Sequence, residues 1–127
     1  AGMGANLLLN IGPQPDGQLP AAALERLKDI GCWMRKYGET IYGTEGSPFA
    51  AQSWGTATRK GNRLFVHVMT ADKPDIFVPV NLKIKSAREF DSREKLKFSK
   101  VKDGGVILHL GQVPDAIDHI IELELND

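Results

Sequence analysis

Nucleophilic, acid–base or metal chemistry in this 127-residue sequence would have to come from three histidines, one cysteine and a scatter of serines and carboxylates. His67, His109 and His119 each fall inside a strand-like stretch and share no metal-ligand spacing, so they read as solvated or core-edge side chains. Neither a metal nor a cofactor is expected. Cys32 lies in a helical stretch with only Lys28, Arg35 and Lys36 nearby, and reads as a packed helix thiol rather than a nucleophile. Ser47, Ser53, Ser86, Ser92 and Ser99 lack the G-x-S-x-G context of a nucleophile elbow. Paired carboxylates would point to glycoside hydrolysis, but no two acids stand out as a pair. Asp16 belongs to a Pro-Asp-Gly turn, Glu25, Asp29 and Glu39 lie on or just after a helix, and Glu122 and Glu124 alternate outward on a strand. Trp54 with Phe49 has two readings: an aromatic platform for a sugar ring, or a plug in a β-sandwich core.

The elements that would carry these side chains change character near residue 45. In "ANLLLNIGPQPDG" the run Leu7-Leu8-Leu9 sits between Asn6 and Asn10 without alternation, which reads as a strand covered on both faces. A helix is expected from Pro20 to Tyr37, with Pro20 at its first position. Leu24, Leu27, Gly31 and Met34 recur at helical spacing, and Ile30, Trp33 and Tyr37 widen the stripe. Arg35 and Lys36 suit the helix dipole at its C-terminal end, and Gly38 is the expected stop. From about Ser47 the period becomes two. "RLFVHVM" turns Leu64, Val66 and Val68 to one side, and "IIELEL" sends Ile121, Leu123 and Leu125 inward. Turn residues between such runs indicate an antiparallel sandwich, and Pro79 marks an edge strand or a bulge.

The expected fold is therefore mainly β: an antiparallel β-sandwich over residues 46–127, preceded by one strand–helix unit over residues 1–45. A single parallel-type strand cannot form a sheet alone. That unit is expected to dock on the sandwich, to self-associate, or to stand poorly ordered where a missing domain would cover it. The start of the sequence, "AGMGAN", directly before a buried-type strand, looks like a cut inside a larger protein. Apolar residues make up 42% and charged residues 25%, the balance of a soluble globular chain. Lys+Arg and Asp+Glu each number 16, so net charge offers no attraction for nucleic acid or an anionic membrane. The lone cysteine leaves the compartment open.

Taken in order, "ANLLLNIGPQPDGQLP", "ERLKDIGCWMRKYGETIYGT", "WGTATRKGNRLFVHVM", "LKFSK" and "IELEL" resemble the C-terminal region of α-L-fucosidases, glycoside hydrolase family twenty-nine. The resemblance implies that the strand–helix unit is the last βα unit of a (β/α)8-like catalytic barrel whose remainder is absent, and that the sandwich packs on that barrel. It implies a parent enzyme that removes terminal α-linked fucose from glycans by a retaining mechanism, with the nucleophile and the acid/base residue both upstream of Ala1. The fragment alone would then be inactive, and the sandwich mainly structural support. Within the motif, Leu7 matches the position whose side chain meets the fucose methyl group. Asn10, at the strand end, either holds the loop backbone or reaches toward the pocket. A secreted, periplasmic or lysosomal location is implied. The rival reading is an independent carbohydrate-binding sandwich that uses Trp54 and Phe49.

Overall fold

The computed structural model describes residues 1–126. One helix, α1 (Ala21–Tyr37), runs into a 3-10 turn (Gly38–Thr40) and is followed by seven strands: β1 (Gly55–Lys60), β2 (Arg63–Val68), β3 (Asp75–Val78), β4 (Ile84–Glu89), β5 (Phe98–Lys100), β6 (Val106–His109) and β7 (His119–Leu125). They form a four-stranded sheet of order β1-β2-β7-β4 and a three-stranded sheet of order β3-β6-β5. All pairings are antiparallel. The mainly-β, two-sheet architecture is the one expected from the alternation.

Between the sheets lies the larger core, in which Leu64, Val66 and Val68 of β2 meet Ile121, Leu123 and Leu125 of β7 and Ile76, Val78 and Leu108 of the smaller sheet. The β1–β2 hairpin turns at Gly61, whose φ of 60° supplies the left-handed residue that a tight two-residue turn requires. Pro79 directly follows β3, an edge strand, so its missing N–H breaks no interior ladder. A register shift between Ile84 and Ser86 bends β4 as it pairs with β7.

The outer face of the four-stranded sheet is also covered, and here alternation misleads. β2 and β7 are buried at nearly every position. Phe65, Phe90 and Ile120 form a second cluster on that face, roofed by Trp33 and Tyr37 from the last turns of α1. Tyr37 donates its hydroxyl proton to the Asp91 carboxylate at 3.0 Å, and Lys36 approaches the same group at 3.4 Å. Ahead of the strands, Ser47 donates its N–H to Gly2 O, and Glu45 pairs with Arg59. The helix therefore docks through its C-terminal end, while Leu24, Leu27 and Ile30 of its first turns stay exposed.

Several local expectations are revised. Residues 5–14 form no strand. A strand exists only through a hydrogen-bonded neighbour, and none of the described residues pairs with this run. Leu7 and Leu8 are 88% and 93% exposed. Pro20 is the N-cap rather than the first helical residue. Gly38 caps the helix end where the stop is expected, but with right-handed rather than left-handed dihedrals. Its small size matters instead, because a Cβ there would lie 2.8 Å from the Tyr42 ring. Cys32 is exposed rather than packed.

Gly55, which opens β1, has a φ of 147°, and a Cβ built on it would run into the His67 carbonyl across the hairpin. Gly55→Ala is expected to lower stability by at least about 2 kcal/mol, since neither backbone can yield without breaking the β1–β2 ladder. The midpoint of urea unfolding checks this.

Candidate functional site

Leu7 and Asn10 on one side, and Trp54 and Phe49 on the other, do not converge on one pocket. Leu7 and Asn10 both lie exposed on the extended N-terminal run, far in character from any formed pocket. Trp54 is only 7% exposed, and its indole N–H donates to Phe77 O at 3.0 Å. Phe49 packs against it with ring centroids 6.1 Å apart. A sugar platform requires an accessible ring face, and Trp54 offers little of one here, while Phe49 is half-buried. Trp54 belongs to the core between the sheets, with Phe49 packed against it.

What the fold does gather is a cavity of about 500 Å3 between α1 and the outer face of the four-stranded sheet. Ile30, Trp33, Ile41, Met69 and Ile117 supply apolar walls, and His67 and Asp118 supply a polar floor. β2 presents His67 on this face because Val66 and Val68 point into the sandwich. His67 Nδ1 lies 2.7 Å from Asp118 Oδ2, and its Nε2 lies 3.2 Å from Thr58 Oγ1. Thr58 gives its single hydroxyl proton to Thr40 O at 2.5 Å. Toward His67 the hydroxyl can then only accept. Thr58 is thus no poised nucleophile. The chain Asp118–His67–Thr58–Thr40 fastens the end of the helical segment to the sheet. Asp118 Oδ1 and Thr56 Oγ1 are buried without a hydrogen-bond partner, and both residues line the cavity.

Beside it, Glu122 is the charged centre of the same face. The sequence turns it outward to solvent, yet it is 4% exposed. Arg63 Nε and Arg88 Nη2 donate to its Oε1 at 2.9 and 2.8 Å, and Arg93 Nη1 donates to its Oε2 at 3.2 Å. Arg63 also binds Glu39, just past the helix, at 2.6 Å. Burial, the largest influence on the Glu122 carboxyl, pushes its pKa up. The hydrogen bonds and charges of Arg63 and Arg88 together outweigh burial and hold it below the ordinary glutamate value. The partners of Glu122 are 29 to 59 residues away in sequence, so no local motif announces them. The His67–Asp118 pair is likewise separated by 51 residues.

The family of this chain is given by comparison with known proteins. The alpha-L-fucosidase family profile matches residues 1–39. Tissue alpha-L-fucosidase of Homo sapiens is 30% identical over 122 residues, which covers 88% of this chain and 25% of that protein. The alpha-L-fucosidase isoenzyme 1 of Paenibacillus thiaminolyticus superposes with a TM-score of 0.80 at 30% identity, covering 96% of this chain and 31% of the other. The alpha-fucosidase of Thermotoga maritima, solved with a mechanism-based inhibitor, gives 0.76 at 35% identity, covering 94% and 30%. These relatives are all glycoside hydrolases of one kind. The chain belongs to the α-L-fucosidase family and spans a partial region of it.

Because the Glu122 carboxyl is held below its ordinary value, its contribution is full above about pH 4.5 and is lost as pH falls further, through the folded-state value. Glu122→Gln is expected to be less stable than the parent chain at pH 7. The difference should shrink as pH falls through the parent glutamate's folded-state value, where it also protonates. Urea titrations across that range read it out.

Proposed function

We propose that this chain is the closing portion of a retaining exo-α-L-fucosidase, which removes terminal α-linked fucose from glycans. The observation that carries the proposal is the alignment over 88% of the chain with a tissue alpha-L-fucosidase, spanning both the helix and the sandwich. In this reading residues 1–45 are the last βα unit of the catalytic barrel and residues 46–127 are a supporting sandwich. The exposed run Leu7–Leu9 and the helix stripe of Leu24, Leu27 and Ile30 would be covered by the barrel's other elements. Leu7 would face the fucose methyl group, and Asn10 would hold the loop that rims the pocket.

Retaining hydrolysis needs a carboxylate nucleophile and a second carboxyl acting as acid and then base, about 5–5.5 Å apart. In this reading both come from upstream segments. The purified 127-residue chain is then expected to give no turnover of an aryl α-L-fucoside above the uncatalysed rate. Turnover that survives purification to homogeneity would overturn the assignment of the catalytic groups.

The uncovered apolar run and helix stripe should also drive self-association. Light scattering is expected to detect species larger than a monomer at micromolar concentration, and Leu24→Glu with Leu27→Glu should suppress them. Both positions are already exposed, so the unfolding midpoint should barely change.

A further inference from the structure

The smaller sheet carries a constellation that the fucosidase reading does not use. On its outer face, Ser99 Oγ stands 2.8 Å from His109 Nε2, and His109 Nδ1 stands 2.9 Å from Asp75 Oδ1. Strand pairing fixes all three. Asp75 and His109 are register partners between β3 and β6, and β5 brings Ser99 diagonally beside His109 from the other side. The three come from strands separated by 34 and 10 residues, so no sequence motif marks them. Their alternation partners Ile76, Val78, Val106 and Leu108 are buried in the sandwich, which keeps these side chains on the solvent side.

An ionised Asp75 accepts the Nδ1 proton of His109. That leaves Nε2 with its lone pair toward Ser99, able to take the hydroxyl proton. A hydroxyl, a base within hydrogen-bond reach and a third group orienting the base are the components of an activated nucleophile. Beside them, Phe77 is 46% exposed and pairs in register with Ile107, so an apolar surface adjoins the serine.

We propose that Ser99 is an activated nucleophile that accepts an acyl group from activated esters, with His109 as its general base and Asp75 as the positioning residue. Ser99 Oγ attacks the acyl carbon as its proton passes to His109 Nε2. The new Oγ–C bond forms, the bond from the acyl carbon to the leaving oxygen breaks, and the proton follows the departing alkoxide or phenoxide. Water, deprotonated in turn by His109, then hydrolyses the acyl-serine and restores the hydroxyl. The group lies on an open sheet face rather than in a cleft lined with convergent N–H donors. Its scope is therefore esters with good leaving groups, and deacylation is the slow half.

The test treats the folded chain with p-nitrophenyl acetate and maps acetylated peptides by mass spectrometry over time. Ser99 is expected to acetylate about 100-fold faster than the exposed Ser53, in the range that general-base assistance provides. His109→Ala and His109→Gln should both bring Ser99 down to the Ser53 rate, and added imidazole should partly restore it in the alanine variant. Asp75→Asn should slow the reaction about tenfold or more, while Asp75→Glu stays within about threefold. Acetylation confined to lysine amines, a Ser99 rate no greater than that of Ser53, or a rate indifferent to His109 would each overturn the proposal.

Discussion

Everything in this molecule depends on the four-stranded sheet being covered on both faces. The inner face is satisfied by the second sheet in the ordinary way of a sandwich. The outer face holds Phe65, Ile120, His67 and Glu122, a mixture that water would tolerate poorly on its apolar side and a dry interior poorly on its polar side. The end of α1 and the segment after it resolve both demands. Trp33 and Tyr37 roof the aromatic cluster, Thr40 accepts from Thr58, and Glu39 reaches Arg63.

The polar groups under that roof are satisfied by networks rather than by single pairs. Glu122 would be costly at this depth with one partner, since removing two charges from water outweighs most isolated attractions. Three guanidiniums distribute that cost, and two of them, Arg88 and Arg93, remain about half in solvent. Arg63 and Arg93 also lie over the Phe65 and Phe90 rings, 4.9 and 4.8 Å from the centroids, so the charged cluster and the aromatic cluster form one continuous surface. His67 is held in a similar way, with each ring nitrogen facing a partner on a different strand or loop.

Much of the fold was legible from local signals. Period-two alternation located β2 and β7, with Leu64, Val66, Ile121 and Leu123 pointing inward as found. Helical spacing and the basic last turn located α1. What could not be read was whatever depended on an element distant in sequence. Alternation assigns Glu122 to solvent because it cannot know that a helix more than 80 residues earlier returns to that face. It offers Trp54 as either platform or plug, and cannot see the Phe77 carbonyl that takes its indole N–H. The run Leu7–Leu9 is the converse case, a sequence suited to double burial that none of the described residues covers. The candidate chemistry was less legible still, since each cluster is assembled from residues that share nothing in sequence except strand register.

The change of pattern near residue 45 invites a division between a helical piece and a β piece, but the helix does not respect that line. Its first half stands free while its second half roofs the outer face of the four-stranded sheet, joined through Tyr37 to the turn that holds Asp91. A truncation that begins at residue 46 would therefore not liberate a self-sufficient β module. It would unroof Phe65 and Ile120 and strip Arg63 of its second carboxylate. The seam visible in composition and the seam at which the molecule can be parted are different places, and α1 straddles them as a splint.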